Sequence, residues 1–167
     1  MSGSGPIAIL GLGAVGTALA NGLAEDGAVL RLWARNSSRR RRASRSLGRG
    51  ARVRVLARAT EAVEGARLVL LCVPESALPE LLGGLAVRGR LPLFFTVSGL
   101  VALEPLAEGL ADRARLGRFH PLCPVLARGA PTSMRGMPFG LEGPPAVLRA
   151  GRALCRRLGG TPLELTG

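Results

Sequence analysis

Residues 7–26, IAILGLGAVGTALANGLAED, carry the strongest structural signal in the sequence. The first four residues are apolar and are bounded by Pro and Gly, which is typical of a short strand buried on both faces of a sheet. Apolar residues then recur at helical spacing, so a helix follows almost at once. Gly11, Gly13 and Gly16 lie at the junction of these two elements. The stretch therefore predicts a strand, a glycine-rich turn and a helix.

The glycine spacing Gly-x-Gly-x-x-Gly predicts a dinucleotide site. The first glycine permits a tight turn, the second lets a diphosphate approach the backbone, and the third lets the helix pack closely on the strand. The free N–H groups at the helix start favour phosphate. A purely structural turn is the alternative, because similar turns join strands to helices in domains that bind nothing. The candidate cofactor contacts are Gly11, Leu12, Gly13, Ala14, Val15 and Gly16.

The length and the alternation of strand and helix patterns predict one domain over residues 1–167. We expect an α/β fold, a doubly wound and mostly parallel Rossmann-like sheet with helices on both faces. No basic leader precedes an apolar segment, and the longest nearly apolar run, residues 91–103, is too short to cross a bilayer. We therefore expect a cytoplasmic protein with no membrane partner. The odd, widely spaced cysteines indicate neither disulfides nor a metal site.

The positive charge is concentrated in one segment. All 23 basic residues are Arg, and 11 of them lie in residues 31–58, where no Asp or Glu occurs. The rest of the chain contains 12 Arg and 11 acidic residues, so the formal net charge of +12 belongs mainly to this segment. This distribution indicates a local anionic partner.

The end of the second predicted strand points to the phosphorylated coenzyme. NAD-binding domains usually carry an Asp or Glu there to accept from the ribose 2′-hydroxyl, whereas guanidinium groups and small hydroxyls suit a 2′-phosphate. We therefore expect NADP(H) in preference to NAD(H), bound by Arg35, Asn36, Ser37 and Arg39. Alternatively, residues 39–42 are a solvated helix face. Nucleic acid is an unlikely partner, since no aromatic residue is interleaved after Trp33 and no binding motif occurs.

Two further strand ends should lie near the cofactor. An apolar strand over residues 67–73 is closed by Pro74, and carboxyl ends of strands are where open α/β sheets bind ligands. This places Cys72, Val73 and Pro74 beside the cofactor, with Glu75 or Ser76 as a cofactor neighbour or a helix cap. A later strand over residues 93–97 ends at Ser98, another candidate contact. The other expected strands span residues 28–34, 53–56 and 161–165, and the expected helices span 60–63, 77–82, 103–114 and 145–158.

His120 is the candidate catalytic residue. It is the only histidine, it precedes a proline, and it should follow a strand on the substrate half of the sheet. The chain has no Lys and no Tyr, which excludes the Tyr/Lys pair and the catalytic lysine used by other dehydrogenases, so His120 is the remaining general acid. A packed or surface histidine is the alternative. Cys123 lies three residues on, but a Cys/His pair would need a lowered thiol pKa.

The order of motifs resembles an uncharacterised bacterial family that joins a Rossmann-like N-terminal domain to a C-terminal helical domain of unknown function. It is more distantly similar to pyrroline-5-carboxylate reductase, prephenate dehydrogenase and the F420-dependent NADP oxidoreductases. The motifs are residues 11–16, Leu71-Cys72-Val73-Pro74, Ser98-Gly99, Phe119-His120-Pro121-Leu122, residues 135–143 and Leu158-Gly159-Gly160.

This resemblance implies a nicotinamide-dependent oxidoreductase acting on an unknown imine, keto or hydroxy-acid substrate. Relatives continue into a helical domain that completes the pocket and usually a homodimer, and we expect residues 1–167 not to include this domain. Thr96 or Val97 stands where family members commonly carry a His, and Cys123 where they carry a polar residue. Two other functions stay open: a non-catalytic dinucleotide-binding or interaction module, and an anion or nucleic-acid binder that works through residues 31–58.

Overall fold

A computed structural model describes residues 5–48, 52–85, 87, 89–108, 110, 112, 115–122 and 134–165. Within these residues, strands and helices alternate along most of the chain. A short 3-10 turn, Glu75–Ala77, precedes the fourth helix. The elements are β1 (Ile7–Leu10), α1 (Ala14–Glu25), β2 (Leu30–Trp33), α2 (Ser37–Leu47), β3 (Val53–Val55), α3 (Ala59–Val63), β4 (Leu68–Leu71), α4 (Leu78–Gly83), β5 (Leu93–Thr96), α5 (Leu103–Ala107), β6 (Leu116–Pro121), β7 (Pro138–Glu142), α6 (Pro145–Leu158) and β8 (Thr161–Glu164).

The strands form one eight-stranded sheet in the order β3-β2-β1-β4-β5-β6-β7-β8. All neighbouring strands are parallel except β6 and β7, which are antiparallel. The chain leaves β1 toward β2 on one side and later returns to β4 on the other, so the strand order reverses beside β1. Open α/β sheets bind ligands at such a switch point, outside the carboxyl ends of the strands. The predicted doubly wound Rossmann-like fold is confirmed.

Both faces of the sheet are buried, which explains the uninterrupted apolar run of β1. Successive strand residues point to opposite faces. Ile7 and Ile9 accordingly join a core with α1 and α6, whereas Ala8 and Leu10 join a second core with α3, α4 and α5. All four side chains are buried. Among the described residues, none of the helices is both long and apolar enough to span a membrane.

Most predicted elements are present with boundaries shifted by one or two residues, and three predictions are corrected. The helix expected over residues 103–114 ends at Ala107, where Glu108 is its C-cap. His120 lies within β6 rather than after a strand, because β6 pairs with β7 as far as Pro121. The strand Pro138–Glu142 is absent from the predicted elements. It inserts between β6 and β8 and reverses the strand direction once.

Candidate dinucleotide-binding site

The glycine turn leaves no room for side chains at Gly11 and Gly16. Gly11 has a φ of 104°, and a Cβ there would lie 2.2 Å from the Cys72 carbonyl oxygen. A Cβ on Gly16 would lie 2.0 Å from the Gly11 carbonyl oxygen. Because these are backbone atoms, neither neighbour can move aside cheaply. Gly11 and Gly16 therefore hold α1 closely against β1 and β4.

Gly13 differs from the other two glycines because the space beside it is open. A Cβ on Gly13 would meet only Arg39, whose Nη1 would be 3.7 Å away. Gly13 is the N-cap of α1, without a side-chain hydrogen bond, and the first turn of α1 carries no acidic residue. Helix N-termini of this kind offer free N–H groups and a positive dipole end to an anion. The turn therefore fits a diphosphate, because it has open space at Gly13 and close backbone packing at Gly11 and Gly16.

A cleft of about 870 Å³ opens at the carboxyl ends of β1, β2 and β4. Trp33, Arg58 and Glu80 also line it, although no motif in the sequence singles them out. Gly13, Ala14, Val15 and Gly16 belong to the adjoining turn and the start of α1 rather than to the cleft wall. The predicted cofactor residues in the wall are Gly11, Leu12, Arg35, Asn36, Arg39, Cys72, Val73 and Pro74.

The turn between β2 and α2 presents two free guanidinium groups to this cleft. The side chains of Arg35 and Arg39 are exposed and form no hydrogen bond or ion pair with any described residue. Asn36 is the N-cap of α2, and its side-chain oxygen accepts from the Arg39 amide at 3.1 Å. Ser37 lies outside the cleft wall, and its hydroxyl accepts from Arg41.

The four consecutive arginines of α2 do not form one uniform face. Arg39, Arg41 and Arg42 are exposed, as the solvated-face hypothesis expects. Arg40 is half-buried and donates to the backbone carbonyls of Ala34 and Arg35, so that hypothesis is wrong for this residue. Its side chain folds back onto the end of β2.

The other cationic residue of the cleft already has an anionic partner. Arg58 contacts Glu61 through its Nε at 2.8 Å, and this bond holds the pKa of the Glu61 carboxyl below its usual value. An exposed pair of this kind contributes little to stability. Among the described residues, Arg35 and Arg39 are therefore the cleft arginines without an ion-pair partner, and Glu80 is the acidic residue that lines the same cleft.

The described cysteines are not poised for nucleophilic chemistry. Burial raises the pKa of the Cys72 thiol to about 12 and that of Cys155 to about 11. Thiols with such values stay protonated near neutral pH and are inert as nucleophiles. Cys72 therefore contributes to the cleft as a small packing residue. Cys123 lies outside the described residues.

His120 and Ser98 lie further along the same edge of the sheet, away from the cleft wall. The Nδ1 of His120 is 2.8 Å from the Val97 carbonyl oxygen, so Nδ1 carries the proton and donates it. Its ring rests against Gly99, where a Cβ would come within 2.7 Å of Nε2. The Ser98 hydroxyl donates to Glu75 and accepts from the amide of Val101 at 3.3 Å. Ser98 thus ties the turn after β5 to the turn after β4.

Arg118 is the residue that sequence reasoning missed on this edge. It is only 7% exposed and forms an ion pair with Glu142 at 2.8 Å. Its two terminal nitrogens donate to the carbonyls of Ser98, at 2.6 Å, and Val101, at 2.9 Å. Because Arg118 and His120 are two residues apart on β6, both side chains hold the turn after β5 from the same face.

Comparison with known proteins agrees with this geometry. A family model described as NADP oxidoreductase, coenzyme F420-dependent, matches residues 6–92, just over half of the chain. The chain belongs to this family. The matched residues include β1, the glycine turn, the arginine-bearing turn after β2, and the turn after β4.

Curated relatives include glycerol-3-phosphate dehydrogenases of the NAD(P)+ type. The protein from Azotobacter vinelandii is 35% identical over 128 residues, which cover 67% of this chain and 37% of that protein. The protein from Thermus thermophilus is 36% identical over 121 residues, covering 64% and 38% respectively. The chain therefore spans less than two fifths of the length of these relatives.

Solved structures show the same fold at low identity. A pyrroline-5-carboxylate reductase from Coxiella burnetii superposes with a TM-score of 0.79 at 16% identity, covering 98% of this chain and 60% of that one. A prephenate dehydrogenase from A. aeolicus, in complex with hydroxyphenyl propionate and NAD+, gives 0.78 at 15% identity, with coverage of 97% and 60%. Together with the family match, they show that the chain is an NAD(P)-binding Rossmann-like domain of the kind found in oxidoreductases.

Proposed function

We propose that this chain is the NADP(H)-binding domain of an oxidoreductase that transfers hydride to or from an imine, keto or hydroxy-acid substrate. The observation that carries the preference for NADP(H) is the turn after β2. Arg35 and Arg39 are exposed there and free of described partners, and no acidic residue occurs in residues 27–60. Arginine binds phosphate through planar, charge-assisted hydrogen bonds, and a carboxylate at this position would repel it.

The residues of the site divide between the parts of the coenzyme. The open backbone at Gly13 and the start of α1 would hold the diphosphate. Arg35 and Arg39 would hold the 2′-phosphate on the adenosine side. Cys72, Val73 and Pro74, at the end of β4, would pass along the ribose. This division follows the order of the strands, since β2, β1 and β4 are adjacent in the sheet.

When bound, the nicotinamide coenzyme supplies the hydride chemistry, and the protein supplies orientation and a proton. We assign the proton transfer to His120. Its Nδ1 is engaged by the Val97 carbonyl, so Nε2 is the ring atom left to exchange a proton with a substrate. The turn after β5, held by Arg118 and joined to Glu75 through Ser98, would keep the His120 side of the sheet in fixed relation to the coenzyme cleft.

A non-catalytic dinucleotide-binding module is the second candidate. It is favoured by the position of His120, which is not part of the cleft wall, and by the lack of any Lys or Tyr in the chain. Turnover separates the two candidates. Oxidation of NADPH with a panel of imines and keto acids supports the enzyme, whereas saturable binding without turnover supports the module.

Coenzyme titration tests the proposed selectivity. Trp33 is the only tryptophan and lines the cleft, so energy transfer from Trp33 to a reduced nicotinamide reports binding. We expect Arg35→Ala to weaken NADPH at least about tenfold, equivalent to about 1.4 kcal/mol, and NADH less than about threefold. Arg149→Ala, an exposed arginine of α6, is the charge-matched control and should change neither. If Arg35→Ala weakens the binding of NADPH and NADH by the same factor, Arg35 does not bind the 2′-phosphate.

A further inference from the structure

Arg40 makes contacts that its neighbours in the arginine run do not make. Its Nη1 lies 2.5 Å from the Ala34 carbonyl oxygen and 2.9 Å from the Arg35 carbonyl oxygen. It is half-buried, whereas the residues on either side, Arg39 and Arg41, are exposed. A single nitrogen from the first turns of α2 therefore reaches back to the two residues that follow β2.

Among the described residues, Arg40 is the hydrogen-bond donor to both carbonyls. No backbone amide within the described part of the chain donates to either of them. Ala34 is also buried, at 3% exposed, so water has little access to this end of the strand. Buried carbonyls without a partner are costly. The contact consequently fixes the backbone at the point where the chain leaves β2 for α2.

The fixed backbone carries the groups assigned to the coenzyme. Arg35 follows Ala34 directly, and Asn36, the next residue, caps α2 by accepting from the Arg39 amide. The short turn after β2 is therefore held by two contacts: Arg40 binds the carbonyls at its start, and the Asn36 side chain caps α2 at its end. Arg35 and Arg39 extend from the two ends of this turn into the same cleft.

We propose that Arg40 is a positioning residue that determines coenzyme selectivity without touching the coenzyme. By holding the Ala34 and Arg35 carbonyls, it keeps the Arg35 and Arg39 guanidinium groups in one arrangement, suited to a single phosphate. This inference rests on the proposed function of the site. It adds that the preference for NADP(H) depends on a side chain directed away from the ligand.

Arg41 provides a matched control on the same helix. It carries the same charge one residue further on, but among the described residues its guanidinium donates hydrogen bonds only to the hydroxyls of Ser37 and Ser38. Removing either arginine lowers the local charge by one and weakens the attraction of any anion similarly. A difference between the two variants therefore measures the carbonyl contacts of Arg40, and the charge effect cancels.

The experiment compares Arg40→Gln with Arg41→Gln in the full chain. Dissociation constants for NADPH and NADH are measured by energy transfer from Trp33, and the melting temperature is measured in parallel. We expect Arg40→Gln to lower the affinity ratio of NADPH over NADH at least fivefold, and Arg41→Gln to lower it less than twofold. Arg40→Lys keeps the charge, but its Nζ ends one bond short of the position of the Arg40 Nη1, so it should lower the ratio at least twofold. If Arg40→Gln does not fold, the affinity ratio of Arg40→Lys tests the role of Arg40 instead.

Two results would overturn the inference. If Arg40→Gln and Arg41→Gln lower the ratio equally, charge alone explains it. If Arg40→Gln lowers the melting temperature and weakens both coenzymes by the same factor, Arg40 is merely structural. The proposed function fails separately, when Arg35→Ala leaves the ratio unchanged. If Arg35→Ala lowers the ratio and Arg40→Gln matches Arg41→Gln, the NADP(H) site stands and only the role of Arg40 is lost.

Discussion

Replacing Gly13 by alanine should weaken coenzyme binding while leaving the fold intact. The backbone at Gly13 has φ −76° and ψ −163°, which any L-residue adopts, and the new Cβ would make only an ordinary contact with Arg39, at 3.7 Å. Alanine is a poorer N-cap than glycine by roughly 0.5–1 kcal/mol. The stiffer unfolded chain returns about 0.4–1 kcal/mol. We therefore expect the melting temperature to change by less than about 4 °C.

Binding should respond differently, because the methyl group would occupy the opening through which a diphosphate approaches the backbone. We expect Gly13→Ala to weaken NADPH and NADH equally, each at least about tenfold, which corresponds to about 1.4 kcal/mol. Equal losses are expected since both coenzymes carry the same diphosphate. The assay is titration by energy transfer from Trp33, with thermal unfolding followed by circular dichroism on the same samples.

Gly16→Ala is the contrasting variant. Its Cβ would lie 2.0 Å from the Gly11 carbonyl oxygen, so the start of α1 must move away from β1. Overpacking of this kind typically costs about 1–3 kcal/mol or more, and we expect a clearly lowered melting temperature. A Gly13→Ala protein that binds NADPH as tightly as wild type would show that the diphosphate does not lie against Gly13. A Gly13→Ala protein destabilised as much as Gly16→Ala would show that Gly13 is a packing residue.

Three further predictions concern other residues. Because burial raises the pKa of Cys72 to about 12, a thiol reagent at pH 8 should label it only after unfolding, as peptide mapping would show. The protonated thiol contributes stability that is complete below pH 9 and is lost as the pH rises toward 12. Arg118→Gln leaves Glu142 without its partner and should cost about 3 kcal/mol in denaturant unfolding, whereas Arg152→Gln, at an exposed ion pair, should cost under about 1 kcal/mol. The single imidazole, His120, should give nitrogen NMR shifts of the Nδ1–H tautomer in its neutral form; an Nε2–H tautomer would contradict the bond to Val97.

The glycine turn and the central strands could be predicted because their signals are local. β1 and β4 are apolar throughout, as strands covered on both faces must be, and this pattern distinguishes them from half-exposed strands. The turn at residues 11–16 carries its requirements in its own composition, since only glycine fits at Gly11 and Gly16. The sequence alone therefore predicts where a diphosphate would bind.

β7 could not be predicted because its conformation depends on distant partners. Gly140 interrupts its apolar pattern, and the sequence before it is rich in Gly, Pro and Ser. Its strand geometry comes from pairing with β6, where Gly140 faces His120, and with β8, where it faces Leu163. Strand propensity is largely a property of such neighbours.

The polar contacts of the site could not be predicted from the sequence either. Four consecutive arginines look alike in composition, and only the path of the chain after β2 gives Arg40 two carbonyls to bind. Arg118 reaches residues 17 to 24 positions away, so its neighbours in sequence give no sign of its burial. A buried guanidinium becomes visible only when the strands that supply its partners are placed side by side.

A crystal structure of the chain grown with excess NADPH would show where the coenzyme binds. It should show the diphosphate against the backbone of Gly13 at the start of α1, with the 2′-phosphate within hydrogen-bond distance of Arg35. A coenzyme bound elsewhere, or one bound at the turn with its 2′-phosphate facing solvent, would rule out the proposed NADP(H) site.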